Sequence, residues 1–521
     1  MQRKLSDQEI QRRNALESLR RLGIDPYPSE GWDITHHAAD IKGRFRDEES
    51  DQWKNVSLAG RVMGKRIMGK AAFLELQDFS GRIQLYVRRD ELCPGPDKVF
   101  YNQVVKKLLD IGDIVGVGGD VFRTRAGEVS VRVRQLKLLA KSLRPLPVVK
   151  EKDGRRYYDV TDPEFRYRQR YADLIINPHS RWVFLQRTKL IQAIRNFLNS
   201  QGYLEVETPI LQPIYGGASA RPFKTFHNAL KMRLFLRIAN ELYLKRLIVG
   251  GFEAVYEFSK DFRNEGMSRF HNPEFTMLEL YVAYKDYHWM ADLVEKMVET
   301  VAQALHGSTR IQYGEHIIDF ALPWKRLTFY GAIQEYTGYD VSQMSEDDLR
   351  SQARAWGIEI DDSMGRGKIL DEIFGAKVEP HLINPTFIMD YPVELSPLAK
   401  RHRDHPQLTE RFEVICAGKE IINAFSELND PLDQRQRFEQ QMGLRAKGDE
   451  EAMVIDEDFL RALEYGMPPT AGMGLGIDRL TMIMTNSPSI QDVILFPHMR
   501  PEKGLYETFP EDDTTEPIRK S

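Results

Sequence analysis

The sequence predicts an α+β protein in two parts, a small five-stranded barrel followed by a larger domain of long helices and apolar strands. Three observations carry this. Residues 56–140 contain short runs of alternating polarity separated by turn signals such as Ser80-Gly81 and Ala126-Gly127. Residues 175–500 mix helical periodicity with strand-like apolar runs. With 521 residues, the chain also exceeds what one ordinary core accommodates.

Residues 1–30 open with apolar positions Leu5, Ile10, Leu16, Leu19 and Leu22 among Arg12, Arg13, Arg20 and Arg21. That spacing predicts a basic amphipathic helix over 5–22, stopped at Gly23, with Pro26 and Pro28 beyond. Within 31–145, runs at 56–59, 73–76, 83–87, 114–117 and 129–133 read as strands, with a helical stretch near 98–110 after the third. This order suits a barrel of the OB type, a fold that binds oligonucleotides. Residues 146–174 read as a linker, introduced by the stiff Leu143-Arg144-Pro145-Leu146-Pro147. In 175–500, a helix over 180–200 leads into a strand at 202–209, and another helix spans 285–306. Residues 340–380 form a small helical insertion, with a helix start at Ser345-Glu346-Asp347-Asp348. The tail 501–521 is acidic (Glu507, Glu511, Asp512, Asp513, Glu516) and is expected to be disordered.

Composition excludes several classes. Charged residues make up 29% and hydrophobic ones 42%, as in a globular chain and not a disordered one. The apolar runs are too short for a spanning helix, so no membrane partner is expected. The start, with Gln2, Arg3 and Lys4, lacks the apolar stretch of a signal peptide. Cys93 and Cys416 are too few for a zinc site or a disulfide framework, which points to the cytoplasm. A net charge of −4 argues against indiscriminate coating of nucleic acid. Locally, however, Arg61, Lys65, Arg66, Lys70, Arg82, Arg88, Arg89, Arg123, Arg125, Arg132 and Arg134 enrich the barrel in positive charge.

The most informative segment is 262–275, Phe-Arg-Asn-Glu-Gly-Met-Ser-Arg-Phe-His-Asn-Pro-Glu-Phe. Apolar runs flank a tight loop, and strand alternation would aim Arg263 and Glu265 the same way. A guanidinium suits a phosphate or carboxylate, a carboxylate can accept from an exocyclic amine, and Phe275 offers a stacking surface. Taken alone, the pattern equally describes a hairpin with a surface salt bridge. Two further segments bear on it: Gly202-Tyr203-Leu204-Glu205-Val206-Glu207-Thr208-Pro209, and Gly472-Met473-Gly474-Leu475-Gly476-Ile477-Asp478-Arg479. The latter lacks the third glycine of a dinucleotide fingerprint, since Ile477 stands in its place.

In that order the three segments resemble motifs 1, 2 and 3 of the class II aminoacyl-tRNA synthetases. The finer resemblance, covering nearly the whole chain, is to the subclass IIb lysyl-tRNA synthetases of bacterial type. It implies an antiparallel sheet flanked by helices, preceded by an OB-fold anticodon-binding domain. It also implies a homodimer built on the motif around Pro209.

The implied activity is ATP-dependent activation of L-lysine to lysyl-adenylate and transfer to the 3' end of tRNA(Lys). For ATP, the resemblance assigns the α-phosphate to Arg263, the adenine amine to Glu265, loop contacts to His271 and Asn272, stacking to Phe275 and the γ-phosphate to Arg479. Arg263 and Arg479 are the implied catalytic cations, and Glu413 and Glu420 the implied Mg2+ ligands. For lysine, it places the ε-ammonium on Glu279, Tyr281 and Glu427, the stem along Phe425, the α-amino group near Gly217 and Glu241, and the carboxylate on Arg263 and Asn423. In the barrel, Arg66, Phe73, Gln84 and Glu128 stand at the positions of anticodon readers.

Three acids fit a cationic substrate, because a buried ammonium needs opposite charge. An aspartyl or asparaginyl enzyme of the same subclass, or a non-catalytic RNA-binding paralogue, is the alternative reading. Ile422 and Ala424 depart from the small glycines frequent beside the position of Asn423. His402 and His405 are read as a polar loop, not a metal site, and Cys416 as a core residue.

Overall fold

The computed structural model describes residues 4–147, 150–152, 155–157, 162–361, 364–446 and 451–501. The acidic tail expected beyond 501 lies outside these residues. The chain divides into two compact units, Met1–Val160 and Thr161–Ser521.

In the first unit, α1 (Asp7–Arg21) starts on a capping box in which Ser6 and Glu9 satisfy each other's backbone N–H groups. Leu16 and Leu19 are buried beneath it. Arg12 is buried too, donating to the carbonyls of Ile111, Ser142 and Arg144. One basic residue of this helix is therefore a clamp within the unit, not a charge offered to a polyanion.

The barrel closes in the order β1 (Val56–Met68), β2 (Ala71–Gln77), β3 (Arg82–Arg88), β5 (Val129–Ala140) and β4 (Ile114–Arg123). A helical segment, Phe100–Leu108, lies between β3 and β4. Alternation works as the sequence predicts. Leu74, Leu76, Ile83, Leu85, Val131 and Val133 fill the interior, while Arg66, Phe73, Gln84 and Glu128 keep solvent access.

The second unit is built on an eight-stranded sheet. In chain order its strands are β6 (Leu204–Glu205), β7 (Ala254–Phe262), β8 (Glu274–Ala283), β9 (Lys325–Thr328), β10 (Thr386–Met389), β11 (Arg411–Cys416), β12 (Lys419–Ser426) and β13 (Thr470–Gly476). Their spatial order is β9-β10-β11-β12-β13-β8-β7-β6. Pairing is antiparallel except at the edges, where β6 runs parallel to β7 and β9 to β10.

Helices α2 (Pro178–Ser200) and α3 (Tyr287–His306) supply the core on one face through Leu190, Ile194, Leu198, Met290, Val294, Met297 and Val301. They pack on Leu278, Leu280, Phe412, Val414, Ile422, Ala424, Ala471, Met473 and Leu475. The alternate residues of the same strands are left for the opposite face, where the chemistry lies.

Two helices, Glu346–Ala355 and Arg366–Lys377, form their own apolar cluster. The first is capped by Ser345, which accepts from the Asp348 N–H at 3.2 Å. Short helices at Pro163–Arg168 and Arg170–Ile176 occupy sequence expected within the linker, with Arg170 fully buried.

The structure corrects the strand expected at 202–209. Only Leu204–Glu205 pairs in the sheet, and Pro209 lies beyond it. Pro209 lacks an N–H for a ladder. The following Thr208–Gln212 stretch instead meets Arg237 and the strand Met232–Leu236.

Candidate active site

The open face of the sheet is assembled by period-two alternation. Its central strand β13 contributes Gly472, Gly474 and Gly476. Across the ladder, Gly472 faces Tyr281 on one side and Phe425 on the other, while Gly474 faces Glu279 and Asn423. Glu413 sits one strand further out, opposite Asn423. Bare glycines between functional strands leave a floor on which a ligand can lie. An added Cβ at Gly472 would come within 2.0 Å of Glu427 Oε1 and 2.5 Å of the Tyr281 ring. Side chains of the protein itself thus close over Gly472, and the end of the glycine run feeds a helix, α4 (Ile477–Met484), with Arg479 in its first turn.

Two adjoining cavities share Arg263, Met277, Glu420 and Gly474. The first, about 730 Å³, is lined by Arg263, Glu265, His271, Asn272, Phe275, Glu420 and Arg479. All residues expected to meet ATP are here except Glu413. The second, about 1130 Å³, is lined by Gly217, Glu241, Arg263, Glu279, Tyr281, Glu413, Glu420, Asn423 and Phe425. It therefore collects the residues expected to meet lysine, with the exception of Glu427.

The geometry of Arg263 and Glu265 differs from the strand reading. β7 ends at Phe262, and both residues lie in an extended loop that runs to Pro273. The Arg263 N–H still donates to Pro273 O at 2.9 Å, and the Glu265 N–H turns back onto Arg263 O at 2.9 Å. They reach one cavity through this loop geometry, not through pleat alternation. The Arg263 guanidinium lies over the Phe275 ring, 5.1 Å from its centroid. His271 bonds Ser268 Oγ at 2.8 Å and meets Arg479 at 3.3 Å. Burial and that guanidinium hold its pKa below the usual histidine value, so it is neutral near pH 7. The Asn272 amide donates to Glu274 O and accepts from the His498 N–H, which pins the loop end.

In the second cavity, Tyr281 donates its hydroxyl to Glu279 Oε2 at 2.9 Å. Burial, with repulsion from Asp261 and Glu241, raises the Glu279 carboxyl well above its usual range. Glu427 is fully buried behind Gly472 instead of lining the cavity. Its Oε1 has no hydrogen-bond partner among the described residues. The sequence reading overlooked Lys245, whose Nζ pairs with Glu241 and with Glu427.

It also overlooked Arg411, which donates to Asn423 Oδ1 at 2.9 Å and pairs with Glu413. A signal was present in both cases: Lys245 stands four residues from Glu241 on a helix, and Arg411 two before Glu413 on a strand.

Glu413 and Glu420 are the candidate metal ligands. Burial, opposed by Arg411 and reinforced by Glu420 and Asp371, raises Glu413 to about 7. Each already meets a guanidinium, Glu413 that of Arg411 and Glu420 that of Arg479, and two carboxylates on paired strands still suit magnesium, which takes few protein ligands and keeps phosphate oxygens and water. No group of three or more His, Cys, Asp or Glu suited to a metal occurs among the described residues. His402 in particular accepts the Asp404 and His405 N–H groups at Nδ1.

In the barrel, Arg66, Phe73, Gln84 and Glu128 line one concavity together with Lys42 and Arg82. Arg66 lies over the Phe73 ring at 5.4 Å, Gln84 accepts from Ser130 at 3.0 Å, and Glu128 meets Lys42 at 3.3 Å.

This sheet, with a glycine floor between two cation-bearing and carboxylate-bearing cavities, matches the model of class II tRNA synthetases (D, K and N) over residues 162–500. Residues 56–139 match the OB-fold nucleic acid binding domain. The chain belongs to the class II tRNA synthetases of this D, K and N group, and is accordingly a ligase. A lysine–tRNA ligase of Porphyromonas gingivalis is 59% identical over 96% of this chain and 86% of its own length. Those of Christiangramia forsetii and Azobacteroides pseudotrichonymphae are each 58% identical, over 98% and 96% of this chain and 89% and 100% of their own.

Proposed function

We infer that the chain is a lysine–tRNA ligase, which activates L-lysine with ATP and transfers it to tRNA(Lys). The observation that carries this is the acidic second cavity. Glu241 and Glu279 line it and Glu427 lies behind Gly472, next to a cavity with the arginines and aromatic ring a nucleotide needs. An aspartate-specific site would need a cation where these acids stand.

The roles follow from chemistry. Lysine's carboxylate attacks the α-phosphorus in line, the bond to the bridging oxygen breaks and pyrophosphate leaves; no general base is needed because the carboxylate is already ionised. Arg263, shared by both cavities, holds carboxylate and α-phosphate together, so the reacting atoms meet without translational cost. Arg479 holds the γ-phosphate at the far end, and both cations offset charge growing on the phosphoryl oxygens. Glu265 accepts from the adenine amine and Phe275 stacks on the base. Gly217 has φ +86°, which favours glycine, and a Cβ added there would come 3.2 Å from the Glu241 Cβ, so the glycine runs close to Glu241 where the α-amino group would lie. Tyr281 and Glu279 take the ε-ammonium with Glu427, Phe425 lines the stem, and Arg411 orients Asn423 toward the carboxylate. Glu413 and Glu420 would hold Mg2+, which when bound supplies positive charge to the phosphates.

In the barrel, Phe73 would stack on an anticodon base, with Arg66, Gln84 and Glu128 reading edges. A homodimer is supported by apolar side chains exposed near Pro209, including Leu211 at 49%, Phe226 at 52% and Leu230 at 65%. A cytoplasmic location is supported by two buried free cysteines. No described helix is long and apolar enough to cross a membrane. Charging of purified tRNA(Lys) with labelled lysine tests the reading, and absence of ATP-dependent charging would refute it.

A further inference from the structure

Beside the second cavity lies Lys245, a cation that binding of lysine does not call for. Its side chain is fully buried, four residues after Glu241 on the helix Glu241–Val249. Its ammonium meets the carboxylates of both Glu241 and Glu427. It lies 5.4 Å from the centroid of the Phe425 ring, which lines the cavity. A lysine of the protein's own thus lies beside the expected lysine site, touching Glu241, which lines the cavity, and Glu427, which lies behind it.

We propose that Lys245 is a positioning residue for substrate selection, a fixed internal cation that favours the ionised forms of Glu241 and Glu427 and matches the pocket's charge to free lysine. This deepens the lysine–tRNA ligase reading and rests on it. Glu241, Glu279 and Glu427 bring three negative charges, and Lys245 removes one. Two remain for the two ammonium groups of the substrate, whose carboxylate belongs to Arg263, while Arg411 is already paired with Glu413.

Three clustered carboxylates without Lys245 could not all ionise in so dry a site. They would take up protons, and a protonated acid no longer rewards an ammonium over a neutral side chain. Burial does push the carboxyls of Glu241 and Glu427 upward, and Lys245 is the strongest influence pulling each back. Burial likewise works against the Lys245 charge, but the two glutamates outweigh it. Arg411 also favours Glu241 ionised, Glu241 opposes Glu427, Glu279 faces Glu241, and the Tyr281 hydroxyl faces both Glu241 and Glu427.

Lysine-dependent pyrophosphate exchange by Lys245→Met and Lys245→Arg, followed from about pH 6.5 to about pH 9, tests this. Lys245→Met should raise the KM for lysine at least about tenfold near neutral pH, with the excess shrinking as pH rises. The KM for ATP should stay within about twofold, and Lys245→Arg should recover most of the loss by keeping the charge. A KM for lysine that is unchanged, raised equally at every pH, or raised together with that for ATP would overturn the proposal. Lys245→Gln, neutral but still a donor, carries the same expectations if the methionine variant does not fold.

Calorimetry on the unmodified enzyme is independent of folding. In buffers of differing ionisation enthalpy, lysine binding should release fewer than about two protons, and two or more would contradict the proposal. Failure of the unmodified enzyme to exchange with lysine would instead remove the underlying ligase reading.

Discussion

Tyr281 donates its hydroxyl to Glu279 at 2.9 Å from a position two residues along the same strand, and no cation among the described residues is paired with that carboxylate. Burial first, then repulsion from Asp261, Glu241 and Glu257, raises the Glu279 carboxyl well above its ordinary value. An ammonium needs it ionised. The KM for lysine is therefore expected to rise as pH falls from about 9 to about 6, while that for ATP changes less. Steady-state exchange at several pH values checks this, and a KM for lysine that falls with acid would refute it.

The same shift fixes a sign for stability. A carboxyl whose folded pKa lies above its unfolded value contributes stability that is full below the unfolded value. That contribution is lost as pH rises through the folded pKa. Bound lysine supplies the missing cation. The increase in Tm on adding lysine should consequently be larger near pH 8.5 than near pH 6, by about a few degrees. A shift that shrinks with rising pH would count against Glu279 as the partner.

Gly472→Ala is expected to damage lysine binding selectively. The new Cβ would meet Glu427 Oε1 at 2.0 Å and the Tyr281 ring at 2.5 Å. Overpacking of this kind costs about 1–3 kcal/mol, or about 5- to 150-fold in the KM for lysine. Equal loss for ATP would show that the glycine serves the sheet as a whole.

Much of this site was legible because strand alternation is simple. Glu279 with Tyr281, Asn423 with Phe425, and Gly472 with Gly474 each lie two apart, so each pair shares a face once the strands are placed. The barrel was legible for the same reason. Arg263 and Glu265 also share a cavity, but the spacing argument behind that expectation fails, because the chain has left the sheet before either residue. Lys245 was hidden because Glu and Lys four apart on a helix usually mark a solvated surface pair. Burial, which sequence spacing does not reveal, changes its meaning. Arg411 was obscured likewise, since an arginine at a strand start reads as exposed.

Arg411 ties together residues of the second cavity. It donates to Asn423, pairs with Glu413, bonds Leu395 O at 2.7 Å and stacks 4.5 Å from the Tyr391 ring centroid. Arg411→Met leaves the buried Glu413 carboxylate unpaired and should cost about 3–5 kcal/mol in denaturant unfolding. Lysine would restore charge without the planar fork and should recover only part of it. A loss below about 1 kcal/mol for the methionine variant would indicate that water replaces the guanidinium.

Phe73 is half-exposed on the barrel, under Arg66 and 5.0 Å from the Tyr86 ring centroid. Phe73→Ala should weaken tRNA charging by about 1–3 kcal/mol of stacking and leave pyrophosphate exchange nearly intact. Loss of both activities would make Phe73 a structural residue of the barrel.

The ring of acids is expected to select lysine, and ATP–pyrophosphate exchange across a panel of amino acids measures that selection. Exchange should be driven by lysine, with aspartate, asparagine and uncharged side chains of similar length at least about 100-fold less effective in kcat/KM. Exchange driven by aspartate or asparagine, or equally by an uncharged analogue, would contradict it.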